Sequence, residues 1–453
     1  MIKVSLQALA QILDAKLVGH NTEVESISTD TRKIASGALF VALVGERFDA
    51  HQFVENAVSS GACAVLVSSQ QDISVPQLVV EDTKIALGKM AKWVHQECQT
   101  KTAAITGSCG KTTVKEMLSS ILAQIGQVMY TDGNFNNEVG VPLTLLRSTP
   151  EDQFAVVELG ANHIGEIAYT TELVKPDVAL VNNVAEAHLE GFGSLEGVKK
   201  AKGEIYQGLS EGSSAIINLD SQGESLWEDV LSDKNVLTFS ATNQQADFYP
   251  SSVRMNEKGE ADFVLHTPKG STPVQLGIVG DHNVSNALAA SALALEMGAT
   301  LKDIQTGLAH LSNVKGRVEV INLTESITLI DDSYNASVPA MKAAIDLLHC
   351  YQGKKWLILG YMAELGHESE ALHREVAEHA AQYSFDHVLT FGDPAQVISQ
   401  VCHGNHFASH NELISYINHH LLLEENYSHT LLVKGANSAR MFEVAASLKE
   451  TYS

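Results

Sequence analysis

An α/β fold in three domains is what this sequence predicts, and three observations predict it. The chain has 453 residues, too long for one ordinary core. From residue 101 on, short apolar runs alternate with helix-like stretches, the pattern of parallel strands joined by helical crossovers. That alternation stops between 240 and 280, where Gly- and Pro-punctuated hairpin patterns appear, and resumes near 314. The expected organisation is a small mixed α/β domain over 1–100, a central mostly parallel sheet flanked by helices over 101–313, and a second α/β domain of Rossmann-like pattern over 314–453.

Each element follows from its own residues. Leu6, Leu9, Leu13 and Leu17 recur at helical spacing, followed by the β-rich runs "GALFVALVG" and "GACAVLVS". In the central part "FAVVELG", "DVALVNNV" and "SAIINL" read as buried strands, and "NVSNALAASALALEMG" as an Ala-rich helix stopped by Gly298. In the last part the strands are "ITLIDD", "KWLILG", "HVLTFG" and "TLLVKG".

Bulk composition narrows the function classes. The content is that of a globular protein, with 45% hydrophobic and 19% charged residues. A net charge of −24 argues against a nucleic-acid or anionic-membrane surface, since little here would displace counterions from a phosphate backbone. Five cysteines without CxxC spacing form neither a disulfide framework nor a zinc site by pattern. No apolar run suits a signal peptide or a membrane span, so a cytoplasmic protein is expected, without membrane insertion.

The chemistry begins at "AITGSCGKTTVKEM", residues 104–117. An apolar run enters a Gly-containing turn and a helix starts at Lys111 or Thr112, so backbone N–H groups and the helix dipole would face an anion. The spacing departs from the common phosphate loop, which has four residues before its Gly-Lys pair, whereas only Ser108 and Cys109 separate Gly107 from Gly110. An ordinary strand–turn–helix junction fits the same letters. Glu158, in "VVELGANHIGEI", stands at the C-terminal end of a strand, the edge where open α/β sheets bind ligands. A capping or salt-bridged Glu fits there too. His188 follows the next strand, and Lys202, in "SLEGVKKAKGEIY", falls on the apolar side of its helix, a poor place for an unpaired ammonium. "GNFNNEVGVPLTLL" puts Asn136 and Asn137 just after a strand, where a plain polar loop is an adequate account.

Taken together these stretches resemble the Mur ligase family of peptidoglycan synthesis, nearly end to end. The resemblance rests on "STDTRKIASGALFVALVGERFDAHQF", "TGSCGKTT", "GNFNNEVGVP", "VVELGANHIGEI", "AHLEGFGSLEGVKKAKGEI", "GDHNVSNALAA", "DDSYNAS", "MAELG" and "LVKG". The family's phosphate loop has the same compressed spacing. It implies an ATP-dependent amide ligase of the dipeptide-adding type, joining D-alanyl-D-alanine to UDP-N-acetylmuramoyl-tripeptide through an acyl phosphate. The branch that adds the third amino acid carries Asp-Asn-Pro-Arg in its last domain, which is absent here. Other readings are a folate-type ligase of the same fold, or a nucleotide-binding regulator that has lost the chemistry.

By position, the resemblance gives Gly107, Ser108, Cys109, Gly110, Lys111, Thr112 and Thr113 to the ATP phosphates. It gives Asn283 and Asn286 to the adenine side, Arg317 to phosphate, and Asp332 to ribose or phosphate. Thr112, Glu158, His188 and Lys202 would hold two Mg²⁺ ions, with Lys202 carbamylated by CO₂; Lys111, His188 and Lys202 form the catalytic set. Ser28, Asp30 and Arg32 match the uridine-nucleotide site, and Asn136 and Asn137 the loop near nucleotide and substrate. The chain is expected to act as a monomer. It departs from the family's usual letters at Tyr361, where an acid is expected, and at Ala436 and Asn437, where Ser-Arg is common.

Overall fold

The computed structural model describes residues 1–45, 48–186, 188–221, 223–256, 259–311 and 316–452. The expected joint between the second and third domains, at 313/314, lies outside the described residues.

The first helix, Leu6–Leu13, buries Leu6, Leu9 and Leu13 and starts where the Ser5 side chain accepts the Ala8 N–H. It ends one turn earlier than the leucine spacing predicts. Asp14 takes a left-handed conformation (φ 54°), which a short polar side chain tolerates, and Leu17 falls instead in the strand Lys16–Val18. That strand edges a five-stranded sheet in the order Lys16–Val18, Gln77–Val79, Ala64–Val67, Leu39–Val41, Ile27–Ser28, parallel except at the first pair.

The central sheet has six parallel strands in the order Val128–Tyr130, Phe154–Glu158, Lys101–Thr106, Val178–Val181, Ser214–Asn218, Asn235–Phe239. Its strands are apolar on both faces because helices cover both. Ala103 and Ile105 point into a core with Val114, Leu118 and Leu288, while Ala104 points to the other side, with Leu87 and Ile167. The helix Thr83–Cys98 joins that second core to the N-terminal sheet. An antiparallel three-stranded sheet, Tyr249–Met255, Glu260–Thr267 and Gly270–Val279, supplies the expected hairpins. The Ala-rich helix His282–Met297 follows, nearly all buried, and ends at Gly298 with φ 106°.

The last sheet runs Glu319–Asn322, Ile327–Asp332, His429–Lys434, Lys354–Gly360, His387–Phe391, Asn405–Phe407, antiparallel only at its first pair. The chain order reverses around Lys101–Thr106, and there the C-terminal strand ends of the central sheet open toward this last lobe. Open α/β sheets bind ligands at such a reversal.

Candidate active site

The strand Lys101–Thr106 runs into the compressed loop, which the next strand's continuation holds in place. Asn183 accepts the Cys109 N–H (2.9 Å) and donates to the Cys109 carbonyl (3.0 Å). Asn182 donates to the same carbonyl and to Asn286 Oδ1, each at 3.0 Å. Ser108 Oγ bridges both polar groups of the Ala185 backbone, donating to its carbonyl (3.0 Å) and accepting its N–H (2.9 Å). Gly110 has φ 76°, and a Cβ there would lie 2.5 Å from Asn286 Oδ1, so only glycine fits. The helix Lys111–Leu122 that follows has no side-chain cap, which leaves its first-turn N–H groups for an anion. The short loop is therefore a built turn, fastened on one side by Asn182 and Asn183.

Charge collects around it. Lys111 Nζ donates to the Gly107 carbonyl (2.7 Å), and burial pushes its ammonium below the usual lysine range against the pull of Glu158. Glu158 is buried, with Thr112 Oγ1 donating to one carboxylate oxygen and Asn136 Nδ2 to the other, both at 2.8 Å. Its own N–H donates to Thr131 Oγ1 (2.9 Å). Both side-chain donors are neutral, and no ion pair of Glu158 occurs among the described residues. A buried carboxylate so placed beside a phosphate cradle suits a divalent cation.

Lys202 lies on the helix Leu195–Gly203, 2% exposed, with its ammonium 5.3 Å from the Phe192 ring centre. Burial first, and Lys111 second, push it down to about 7, so at neutral pH much of it is the free amine. Among the described residues no group of three His, Cys, Asp or Glu side chains is arranged to hold a metal. A metal here would rest on Glu158, Thr112, a modified Lys202 and oxygens of the ligand, a donor set that Mg²⁺ favours.

The opposite wall comes from the last lobe. The Arg317 guanidinium lies over the Tyr334 ring at 4.2 Å, and Lys434, almost fully buried, pairs with Asp332 (2.6 Å) and donates to the Asn335 carbonyl (3.0 Å). His188 meets Glu364 across the gap, and the Glu190 N–H donates to the Glu364 carbonyl (3.2 Å). The cleft between these walls measures about 620 Å³.

Of the residues expected from sequence, Ser108, Cys109, Gly110, Lys111, Thr112, Thr113, Glu158, His188, Asn286, Arg317 and Asp332 line that cleft. Asn136 stands behind it, tied to Glu158, and Asn283 donates to the Val279 carbonyl (2.7 Å) and accepts from Asn286 (2.8 Å). Asn137 accepts the Gly140 N–H (2.8 Å) at the start of a helix. Ser28 ends a strand of the N-terminal sheet and Asp30 and Arg32 form the turn that follows it, outside the cleft. There Arg32 grips Asp30 with two bonds (2.9 and 2.8 Å), holding the carboxyl down at about 2. Tyr361 is wedged between the two cores of the last lobe, whereas Ala436 and Asn437 line the cleft.

Sequence reading missed Asn182, Asn183, Glu364, Lys434 and His282. "VNNV" follows a strand at the ligand edge and carried a signal for the first two. Glu364 and Lys434 stood inside the quoted "MAELG" and "LVKG" with no role attached, because their partners are distant in sequence. His282 lines the cleft with no hydrogen bond to Nδ1 among the described residues, and burial lowers its basicity.

Comparison with known proteins agrees along the whole chain. Residues 23–101 match the Mur ligase family, catalytic domain; 105–294 the Mur ligase middle domain; and 316–437 the Mur ligase, glutamate ligase domain. An Escherichia coli (strain K12) protein named UDP-N-acetylmuramoyl-tripeptide–D-alanyl-D-alanine ligase is 49% identical over 451 residues, covering 99% of each chain. A crystal structure of MurF from Acinetobacter baumannii superposes with a TM-score of 0.94 at 36% identity, covering 99% of each chain. MurF ligase from Thermotoga maritima, in complex with ADP, has a TM-score of 0.81 at 26% identity, covering 94% of this chain and 97% of its own.

Proposed function

The chain belongs to the Mur ligase family, and from that premise we infer that it is an ATP-dependent amide ligase joining D-alanyl-D-alanine to UDP-N-acetylmuramoyl-tripeptide. One observation carries the chemistry: an uncapped helix N-terminus with Lys111 and Glu158, faced across one cleft by Arg317 and Lys434. Lys202, buried and lowered in basicity, lies outside the cleft lining.

A carboxylate is a poor electrophile, and phosphorylation supplies the leaving group it lacks. An oxygen of the tripeptide carboxylate attacks the γ-phosphorus, the bond to the bridging oxygen breaks, and ADP departs. The dipeptide amine then attacks the acyl carbon, loses a proton and expels inorganic phosphate. In this reading the first-turn N–H groups and Lys111 orient the β- and γ-phosphates, and Arg317 approaches from the last lobe. Glu158 and Thr112, with His188 and a carbamylated Lys202, would hold two Mg²⁺ ions. When bound, these ions screen the charge between carboxylate and phosphate. Carbamylation replaces a buried cation with an anion able to ligate metal, which suits a lysine with no salt bridge among the described residues. Closure of the last lobe keeps water from the acyl phosphate.

The same reading assigns 1–100 to the uridine-nucleotide precursor, with Ser28, Asp30 and Arg32 at its site, 101–313 to ATP and metal, and 314–453 to closure and the dipeptide. Asn136 and Asn137 border the precursor. In this reading Asn283 and Asn286 lie toward adenine and Asp332 toward ribose or phosphate. Every residue needed comes from one chain, so a monomer suffices. No helix among the described residues is long and apolar enough to cross a membrane, and a UDP-linked substrate places the reaction in the cytoplasm.

The test is phosphate release from MgATP with UDP-N-acetylmuramoyl-tripeptide, with and without D-alanyl-D-alanine, in bicarbonate. Turnover is expected only with all three substrates. Lys202→Ala should cost on the order of 10²-fold, with partial rescue by acetate or formate. Tight ATP binding without dipeptide-dependent turnover would overturn the reading.

A further inference from the structure

The contact that joins the lobes beside the cleft is made by a residue with no role in the reaction just described. Glu364 sits in the 361–365 turn at φ 60°, a left-handed conformation uncommon for a glutamate. The turn is pinned from behind by buried His373, whose Nε2 accepts the Met362 N–H (2.9 Å) while Nδ1 donates to the Ser369 carbonyl (2.7 Å). On the other side His188 is also left-handed, at φ 54°, and caps the short helix Leu189–Phe192. The Glu190 N–H donates to the Glu364 carbonyl, so the two turns are in register before the side chains meet. Leu189 packs into the apolar core of the last lobe, which makes this a seated contact.

The Glu364 carboxylate meets His188 at Nδ1. A carboxylate only accepts, so Nδ1 is the donor in this pair and Nε2 is the nitrogen it leaves available. His188 borders the same cleft as Lys111, Thr112 and Glu158. A carboxylate behind a ligating imidazole fixes which nitrogen donates and which way the ring points.

The geometry points to Glu364 as a positioning residue, supplied by the last lobe, that prepares His188 as a metal ligand only when the lobes are closed. This rests on the reading of His188 as a ligand. Its consequence is reciprocal: closure tightens the metal, and the metal favours closure by the same factor. An ion pair that merely fastened the lobes would stabilise closure and leave the metal's affinity unchanged.

Mn²⁺ separates these cases, because its binding is read by electron paramagnetic resonance without turnover. The full chain is titrated with Mn²⁺ in the presence of a β,γ-imido ATP analogue, as wild type, Glu364→Ala, Glu364→Gln, His188→Ala and the Glu364→Ala/His188→Ala double variant. The Glu364 side chain is half exposed, so its truncation leaves the fold intact. Glu364→Ala is expected to weaken Mn²⁺ about tenfold. Glu364→Gln, which keeps an acceptor oxygen, should weaken it by about threefold at most, and the double variant should bind no worse than His188→Ala. Wild-type affinity in Glu364→Ala beside a loss in His188→Ala overturns the positioning role and leaves His188 a ligand. Losses that multiply in the double variant also overturn it, since Glu364 would then act elsewhere. Undiminished affinity in His188→Ala overturns the ligand reading and this inference with it.

Discussion

Two buried bases in this chain have opposite surroundings, and that difference decides what each does. Lys202 makes no salt bridge among the described residues, whereas His95 is fully satisfied. Thr102 Oγ1 donates to the Thr100 carbonyl (2.7 Å), so it accepts from His95 Nε2 (2.9 Å), and His95 Nδ1 accepts from Ser148 Oγ (2.8 Å). Burial pushes His95 down from 6.5 to about 4. Between those values the unfolded chain binds a proton that the folded chain refuses, so stability falls as pH falls. The slope from this group is at most about 1.4 kcal/mol per pH unit. In urea unfolding at pH 7 and pH 5, wild type should therefore lose more stability than His95→Gln. Equal losses would show that the histidine is solvated. Such a role was illegible in "KWVHQECQT", because both hydroxyl partners are set by folding. Lys202 was legible, since an ammonium on the apolar side of a helix is anomalous in the letters themselves.

At the scale of the element, the strand–loop–helix unit over 101–122 was the most readable part of the chain. Its apolar strand, the two glycines and the Lys-Thr start all appear where the letters put them. The fastening of the loop was not readable, because Asn182 and Asn183 follow a strand more than seventy residues later. The early helix ended at Asp14 for a related reason: periodicity carried on to Leu17, but one left-handed residue redirected the chain. The loop's dependence on glycine gives a sharp expectation. In Gly110→Ala the new Cβ would lie 2.5 Å from Asn286 Oδ1 and 2.6 Å from Asn182 Nδ2, in a backbone conformation that alanine avoids. The strain, of about 1–3 kcal/mol, is relieved by moving the loop away from its two asparagines. Calorimetric titration should show ATP-analogue affinity reduced by ~10-fold or more, since aimed N–H groups lose their direction. Affinity within twofold of wild type would mean that the loop adapts, and that its asparagine fastening is dispensable.

For the whole molecule, sheet content and order along the chain were predictable, because period and turn chemistry are local properties. How the lobes face one another was not. The Glu364–His188 pair spans 176 residues, and nothing in either neighbourhood announces the other. That arrangement makes a prediction about coupling. The cleft takes one wall from the central sheet and the other from the last lobe, while the N-terminal sheet shares its core with the central one through Thr83–Cys98. A nucleotide bound between the walls should thus restrain both of them. At a hundred times its dissociation constant, an ATP analogue with Mg²⁺ stabilises the bound form by about 2.7 kcal/mol, or ~100-fold in opening equilibrium. Amide hydrogen exchange should slow in the first turn of Lys111–Leu122 and also in the 361–365 turn and the strand His429–Lys434. The exposed stretch around Arg32 should respond only when the UDP-linked precursor is added. Protection confined to the central lobe would mean that the nucleotide binds one wall without drawing in the other, and closure would then have to be driven by the peptide substrates.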